Sequence, residues 1–203
     1  MKRTHNKEDI VRAGLDLVLT RGFNGTGIEA ILKQARVPKG SFYNYFSSKE
    51  EFVLAIIDQY VEDIGGMFYG IMEEESLPAL ERIQRFFLAL IGQFEENGCS
   101  KGCLVGNLSL EMSDQFEKVR LRLEQAMQQW ITALATWLRQ AQGEGTVSAE
   151  LDAELLAESV LSSFQGALLR AKVQKSVEPL RHFVQLYFER FLVSGPPGGK
   201  VQA

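Results

Sequence analysis

Apolar residues recur along this chain at spacings of three and four, with almost no strict alternation, so the pattern is helical from end to end. Ile10, Ala13, Leu17 and Val18 line one face of a first helix over 7–20, which Arg21-Gly22 closes, glycine being usual just past a helix. Ile28, Ile31, Leu32 and Ala35 mark a second helix. Thr26 is placed to N-cap it, and it stops near Arg36 because Pro38 disfavours a helical Val37. A third, very short helix spans 39–45, with Phe42 and Phe46 spaced to anchor one face in a small core.

Ser47-Ser48-Lys49-Glu50-Glu51 reads as a serine cap with acids in the first turn, opening a fourth helix that runs into the low 70s. Gly65-Gly66 inside it costs about 1 kcal/mol per glycine relative to alanine, which predicts a bend or close packing there. Five more helices follow, over 78–96, 102–113, 114–142, 148–175 and 178–193. The 102–113 segment is nearly neutral and expected to be buried. Residues 194–203, SGPPGGKVQA, are Pro/Gly-rich and predicted disordered. The fold class is therefore all-α, about nine helices, with a three-helix N-terminal head on a larger helical domain.

Residues 26–49 say most about function. A short apolar-periodic helix, a Pro-containing turn and a very short second helix make a helix-turn-helix, whose second helix offers its N-terminal side chains to base edges in a major groove. Charge supports this. The chain's net charge is −4, yet residues 1–49 carry nine Lys/Arg against four Asp/Glu, a net +5, leaving −9 for the rest. A basic head on an acidic body suits phosphate contact at one end.

Other chemistry is poorly represented. No apolar run reaches the length of a membrane span, and MKRTHNKEDI has no apolar signal core, so a cytoplasmic protein with no membrane partner is expected. His5 and His182 lie at opposite ends, each without ligand neighbours, so neither a metal nor a cofactor is expected. No phosphate loop, nucleophile elbow or isolated carboxylate pair is present, which argues against an enzyme. The competing reading is an all-helical small-molecule carrier or enzyme that binds no DNA.

The residues Thr26 and Val37-Pro38-Lys39-Gly40-Ser41-Phe42-Tyr43-Asn44-Tyr45-Phe46-Ser47-Ser48-Lys49-Glu50-Glu51-Phe52 resemble the head of the TetR family of transcriptional repressors, with Gly40, Tyr43, Phe46, Ser48, Lys49 and Glu50 on its pattern. Helix number and lengths agree over nearly the whole chain. Two positions depart: Arg36 stands where the turn usually has glycine, and Gly27 where a second hydroxyl is common. The resemblance implies a homodimer that binds a double-stranded, pseudo-palindromic operator. Lys39 and Ser41 at the entrance of the recognition helix would contact bases or phosphates, with Gly40 allowing close approach. Tyr43 and Tyr45 would bond phosphates, and Asn44 would read a base or position the backbone. Thr26, with Gly27 beside it, and Lys49 would hold phosphates at helix starts. Lys2 and Arg3 would form an arm over the DNA.

On the same resemblance, residues 1–47 are the DNA-binding domain, 48–193 the regulatory and dimerisation domain, and 194–203 a tail. Dimerisation is assigned to the last two helices, through Ser159, Ser162, Ser163, Gly166 and Ala167 with Phe183, Leu186, Tyr187, Arg190 and Phe191. An unidentified inducer would bind among Phe68, Tyr69, Phe86, Phe87, Phe94, Trp130, Trp137 and Phe164, with Asn107, Glu111, Gln165 and Arg170 as candidate polar groups. Cys99 and Cys103 flank Ser100-Lys101-Gly102 at a helix junction, where a helix N-terminus and Lys101 are two reasons for a reactive thiolate. Residues 102–114 and 170–180 also resemble the electrophile-responsive branch that includes the N-ethylmaleimide reductase repressor. That likeness makes Cys103 a candidate sensor, with Lys172 nearby and Cys99 as a possible partner; the plainer reading is a packed small hydrophobe.

Overall fold

A computed structural model describes residues 7–193, the side chain of Lys39 excepted. Nine α-helices occur among the described residues: α1 Lys7–Arg21, α2 Ile28–Ala35, α3 Phe42–Tyr45, α4 Lys49–Met72, α5 Ala79–Glu96, α6 Leu104–Met112, α7 Glu117–Gly143, α8 Ala153–Gln174 and α9 Glu178–Leu186. A 3-10 turn over Lys39–Ser41 leads into α3, and a wide π turn over Tyr187–Phe191 extends α9. None of the described helices is long and apolar enough to cross a membrane. The expected arm at Lys2 and Arg3, His5 and the tail over 194–203 lie outside the described residues.

The chain divides into two compact units, one made of residues up to Gly66 together with Lys101–Met127, the other of Met67–Ser100 and the residues from Gln128 onward. The first unit holds α1–α3, α6 and the adjoining parts of α4 and α7. Its centre is a triangle of rings, Phe42 of α3, Phe46 just past its end and Phe52 of α4, with centroids 5.0–5.3 Å apart. All three are essentially solvent-free, as are Ile10 of α1, Ile31 of α2 and Leu104 and Leu108 of α6. The spacing of Phe42 and Phe46 thus does what it implied: it buries one side of α3 and turns the other outward.

Helix ends confirm some expectations and revise others. Ser48 Oγ accepts from Glu51 N at 3.1 Å, while the Glu51 carboxylate takes the Ser47 amide and hydroxyl at 2.7 Å each. This reciprocal cap opens α4 where the serines predicted. Thr26, in contrast, does not cap α2. The cap residue is Gly27, without a side-chain bond, and the Thr26 hydroxyl donates to Gly22 O at 2.6 Å. At the other end of α2, Arg36 takes the left-handed conformation (φ 56°, ψ 41°) and its N–H bonds Lys33 O. An L-residue there costs about 1–2 kcal/mol that glycine avoids.

α4 runs unbroken through Gly65 and Gly66, and a Cβ at either would meet nothing within 4 Å, so no close packing explains them. α8 starts five residues later than its pattern suggested, because Asp152 caps it by accepting from Glu154 N and Leu155 N. The second unit is held by an aromatic cluster in which Phe87 lies 5.0–5.6 Å from Phe164, Phe183 and Phe188. Tyr187 joins it from the π turn after α9, its hydroxyl 2.9 Å from Ser159 Oγ and 2.6 Å from Ser163 Oγ. Of the residues expected at a dimer surface, Phe183 is buried in the chain's own core, while Ser159, Ser163 and Tyr187 are half-buried and hydrogen-bonded to one another.

Candidate nucleic-acid interface

The recognition segment begins at Pro38, whose carbonyl accepts from Ser41 N at 3.0 Å to close the 3-10 turn. Gly40 is exposed, with open space where a side chain would stand. Two residues on, Phe42 is buried, and the Tyr43 ring packs edge-to-face with it, centroids 5.4 Å apart, while remaining 68% exposed. Asn44 is exposed; Ser41 and Tyr45 are half-buried, and Tyr45 has a partner within the chain. The 39–45 segment therefore presents Gly40, Tyr43 and Asn44 to solvent from a rod that the Phe triangle fixes in place. Glycine 27 is exposed at the start of α2, where the first-turn N–H groups of a helix lack intrahelical acceptors.

Thr26 and Lys49 sit differently from their expected phosphate roles. Thr26 is 1% exposed and its one hydroxyl proton is spent on Gly22 O. Lys49 donates to Phe23 O at 3.0 Å and lies over the Phe23 ring at 3.9 Å. Burial pushes its ammonium below the usual lysine range, and the nearby Glu111 carboxylate pulls it back up. Both residues brace the corner between α1 and α2 from inside.

That corner has a third support. Glu111 of α6 accepts from Phe23 N at 2.7 Å and Asn24 N at 3.3 Å. Glu111 is thus a backbone acceptor in the first unit, where the sequence offered it as an inducer-pocket group. Farther along α1, Asp16 takes Lys101 at 2.5 Å and Gln34 of α2 at 2.9 Å. The Lys101 bond holds the Asp16 carboxyl below its ordinary range, burial opposing it and Gln34 adding to it. Lys101, expected beside a thiol, is committed to this pair. These contacts join residues up to 88 apart, and no local pattern announces them.

Cys103 is the N-cap residue of α6, buried, with no side-chain cap bond. Its partner is Tyr60 of α4, whose hydroxyl bonds the Cys103 side chain and the Leu104 backbone. Burial first, and then the adjacent sulfur, push the Tyr60 hydroxyl well above the usual tyrosine range. Cys99 is also buried, in left-handed conformation (φ 53°), and its carbonyl accepts from Lys175 at 3.3 Å. Both thiols are free. Cys103 belongs to the first unit, Cys99 and Lys172 to the second. Among the described residues no group of three or more His, Cys, Asp or Glu is placed to hold a metal ion.

The second unit contains an open cavity of about 630 Å³ lined by Tyr69, Met72, Trp137, Gln140 and Glu144 over buried Arg82. Arg82 donates to Met72 O at 2.6 Å and stacks 4.9 Å over Trp137. Tyr69 and Trp137 were expected near a pocket. Asn107, Gln165 and Arg170 do not line this one. Phe68, Phe86, Phe87, Phe94 and Phe164 are buried core.

Known proteins share this layout. The profile of bacterial regulatory proteins of the tetR family matches residues 10–56, and that of the tetracyclin repressor-like C-terminal domain matches residues 79–187. The HTH-type transcriptional repressor DhaR of Mycobacterium sp. (strain GP1) is 34% identical over 194 residues, 96% of each chain. The repressor NemR of Escherichia coli (strain K12) is 30% identical over 176 residues, 87% of this chain and 88% of that one. The crystal structure of reduced E. coli NemR aligns with a TM-score of 0.84 at 29% identity, over 94% of this chain and 98% of that one. The regulatory protein TetR from Rhodobacter sphaeroides aligns at 0.88 and 35% identity, over 94% and 100%. An exposed polar edge on a buried aromatic anchor, in a helix-turn-helix matched by these profiles and relatives, makes this chain a member of the TetR family of DNA-binding transcriptional regulators.

Proposed function

We propose that the protein is a homodimeric cytoplasmic repressor that binds a pseudo-palindromic operator and is released by a small molecule or a reactive electrophile. Its head is residues 1–47 and its regulatory and dimerisation domain 48–193. Lys39, Gly40, Ser41, Tyr43, Asn44 and Tyr45 make the groove-facing edge, and the α2 start at Gly27 holds a phosphate. Thr26 and Lys49 serve from behind, by fixing the α1–α2 corner. The observation that carries this reading is α3 itself: Phe42 and Phe46 are buried while Tyr43 and Asn44, between them, are exposed. A helix of four residues cannot hold that orientation alone. Electrophoretic shift on the DNA upstream of the gene is expected to show salt-sensitive binding. Lys39→Ala with Tyr43→Ala should weaken it about a hundredfold; unchanged binding refutes the assigned edge.

Dimerisation is assigned to the outer side of α8 and the end of α9. Leu155, Ser162, Gly166, Leu169 and Val173 are exposed at spacings of seven, four, three and four, one continuous stripe along α8, and Leu186 and Phe191 are exposed beyond it. Small residues within the stripe permit close approach of a second helix. Release follows from linkage: an inducer acts only by binding better to a dimer whose heads are set wrongly for DNA.

For the electrophile reading, the supporting observation is Cys103 at the first turn of α6, bonded by Tyr60, in a chain similar to a repressor crystallised in a reduced form. Operator binding with and without N-ethylmaleimide, on wild type and Cys103→Ser, tests it. Loss of binding in wild type alone is expected. Equal response of both proteins removes Cys103 as the sensor and leaves the cavity as the inducer site.

A further inference from the structure

Three non-glycine residues among those described have positive φ: Arg36, Cys99 and Lys175. Each sits at the end of a helix, where Gly22, Gly98 and Gly145 take the same backbone elsewhere in the chain without strain. Two of the three are explained inside the protein. Cys99 is buried, so its side chain packs within the chain. Lys175 reaches Cys99 O with its ammonium. Arg36 is different. Its side chain is exposed and pairs with no described residue, and the backbone bonds of the turn, Arg36 N to Lys33 O and Val37 N to Leu32 O, would form equally well with glycine. A strained backbone kept without any return inside the chain points to a partner outside it.

The surroundings say what that partner is. Arg36 lies three residues after Lys33, itself exposed, and three before Lys39, so the turn of the helix-turn-helix carries cations at regular intervals. An arginine fork matches phosphate oxygens in pairs, and a charge held at a turn beside the recognition segment meets the strand backbone rather than base edges. We infer that Arg36 is a phosphate anchor: its guanidinium grips a DNA backbone phosphate flanking the base pairs faced by residues 39–45, setting the register of the recognition helix. The inference rests on the DNA-binding reading above and adds to it a contact at a position where the family usually has glycine.

The test uses the full-length dimer and a duplex selected from a random-sequence pool on the wild-type protein. Arg36→Gly removes both the charge and the strain. Its melting temperature is expected to rise by about 2–4 °C. Its affinity for the selected duplex should fall about tenfold at 0.15 M salt, with the slope of log K against log salt shallower by about 0.9, one phosphate's worth of released counterion. Arg36→Lys should restore most of that slope. Unchanged affinity and slope in Arg36→Gly overturn the anchor, because the variant folds at least as well as wild type. If no duplex is enriched by the wild-type protein, the DNA-binding reading fails first and takes this inference with it.

Discussion

The recognition segment and α8 solve the same problem with opposite chemistry. Each buries one side and turns the other to solvent. Around α3 the exposed groups are polar or cationic, Tyr43, Asn44 and Arg36, on a two-phenylalanine anchor. Along α8 they are aliphatic, Leu155, Leu169 and Val173, on a core face of Leu156, Val160, Phe164 and Leu168. An exposed hydroxyl or guanidinium keeps its hydration until a charged surface replaces it; an exposed aliphatic row costs free energy until another apolar surface covers it. The first pattern suits a hydrated polyanion, the second a second copy of the chain. Buried rings carry the energy in both, and the outward side chains choose the partner.

The comparison breaks most visibly on the α8 side. Leu169→Arg puts a charge at the middle of the stripe, and two-fold symmetry places it there twice. We expect association to weaken about a thousandfold, roughly 4 kcal/mol, with sedimentation giving monomers at micromolar concentration and operator binding lost. A dimer of unchanged strength would move the interface elsewhere. Next in size is the anchor itself. Phe42→Ala should cost about 3–5 kcal/mol in urea unfolding, as for other buried aromatics. Tyr43→Ala, one residue on, should cost under about 0.5 kcal/mol of stability while lowering operator affinity. Similar stability losses for the two would mean that α3 is not divided into an anchored side and a reading side.

Much of this division was legible in the sequence, because it is written in local spacing. The nine helices of the described residues, the Phe42/Phe46 pair and the Ser48 cap all follow from residues three or four apart. The Thr26 assignment failed within the same short range: Gly27 supplies the cap geometry, and the hydroxyl finds a better acceptor in the preceding turn, at Gly22 O. What periodicity cannot carry is pairing across the fold. Lys101 with Asp16, Glu111 with Phe23 and Tyr60 with Cys103 each join elements distant in sequence. Each long polar side chain had several plausible uses, and only the assembled packing selects one. Arg36 lay between these cases: its identity was visible as a departure, but its strain appears only once φ is known.

The α1–α2 corner gives a smaller and sharper effect. Gly22 has φ 75°, and a Cβ there would lie 2.2 Å from Glu111 Oε1. Gly22→Ala should therefore destabilise by about 2 kcal/mol, part from backbone conformation and part from the displaced carboxylate. Glu111→Ala leaves the Phe23 N–H buried without its acceptor, at about 1–3 kcal/mol. The double variant should cost less than the sum, since the clash disappears with the carboxylate. Strict additivity in urea titrations would mean that the corner relaxes around Glu111 independently of residue 22.

Asp16 gives the smallest effect. Its carboxyl is held below the ordinary range, first by Lys101, so the folded chain favours the ionised form. The unfolded chain binds the proton more readily, so the pair's contribution is fully present above the unfolded carboxylate value of about 3.9. It is lost as pH falls through the folded value, below that. Because the Asp16 side chain is 48% exposed and Lys101 30%, solvent screens the pair, and its worth is a few tenths of a kcal/mol. Asp16→Asn should lose that amount at pH 7 and progressively less as the pH falls through the folded value, so the stability curves of the two proteins converge on acidification. The helix-turn-helix should feel the same change, since Gln34 of α2 shares the carboxylate. Curves that stay parallel from pH 7 to pH 2 would assign the whole effect of the substitution to the neutral Gln34 bond, leaving Lys101 no electrostatic part in holding α1 against α2.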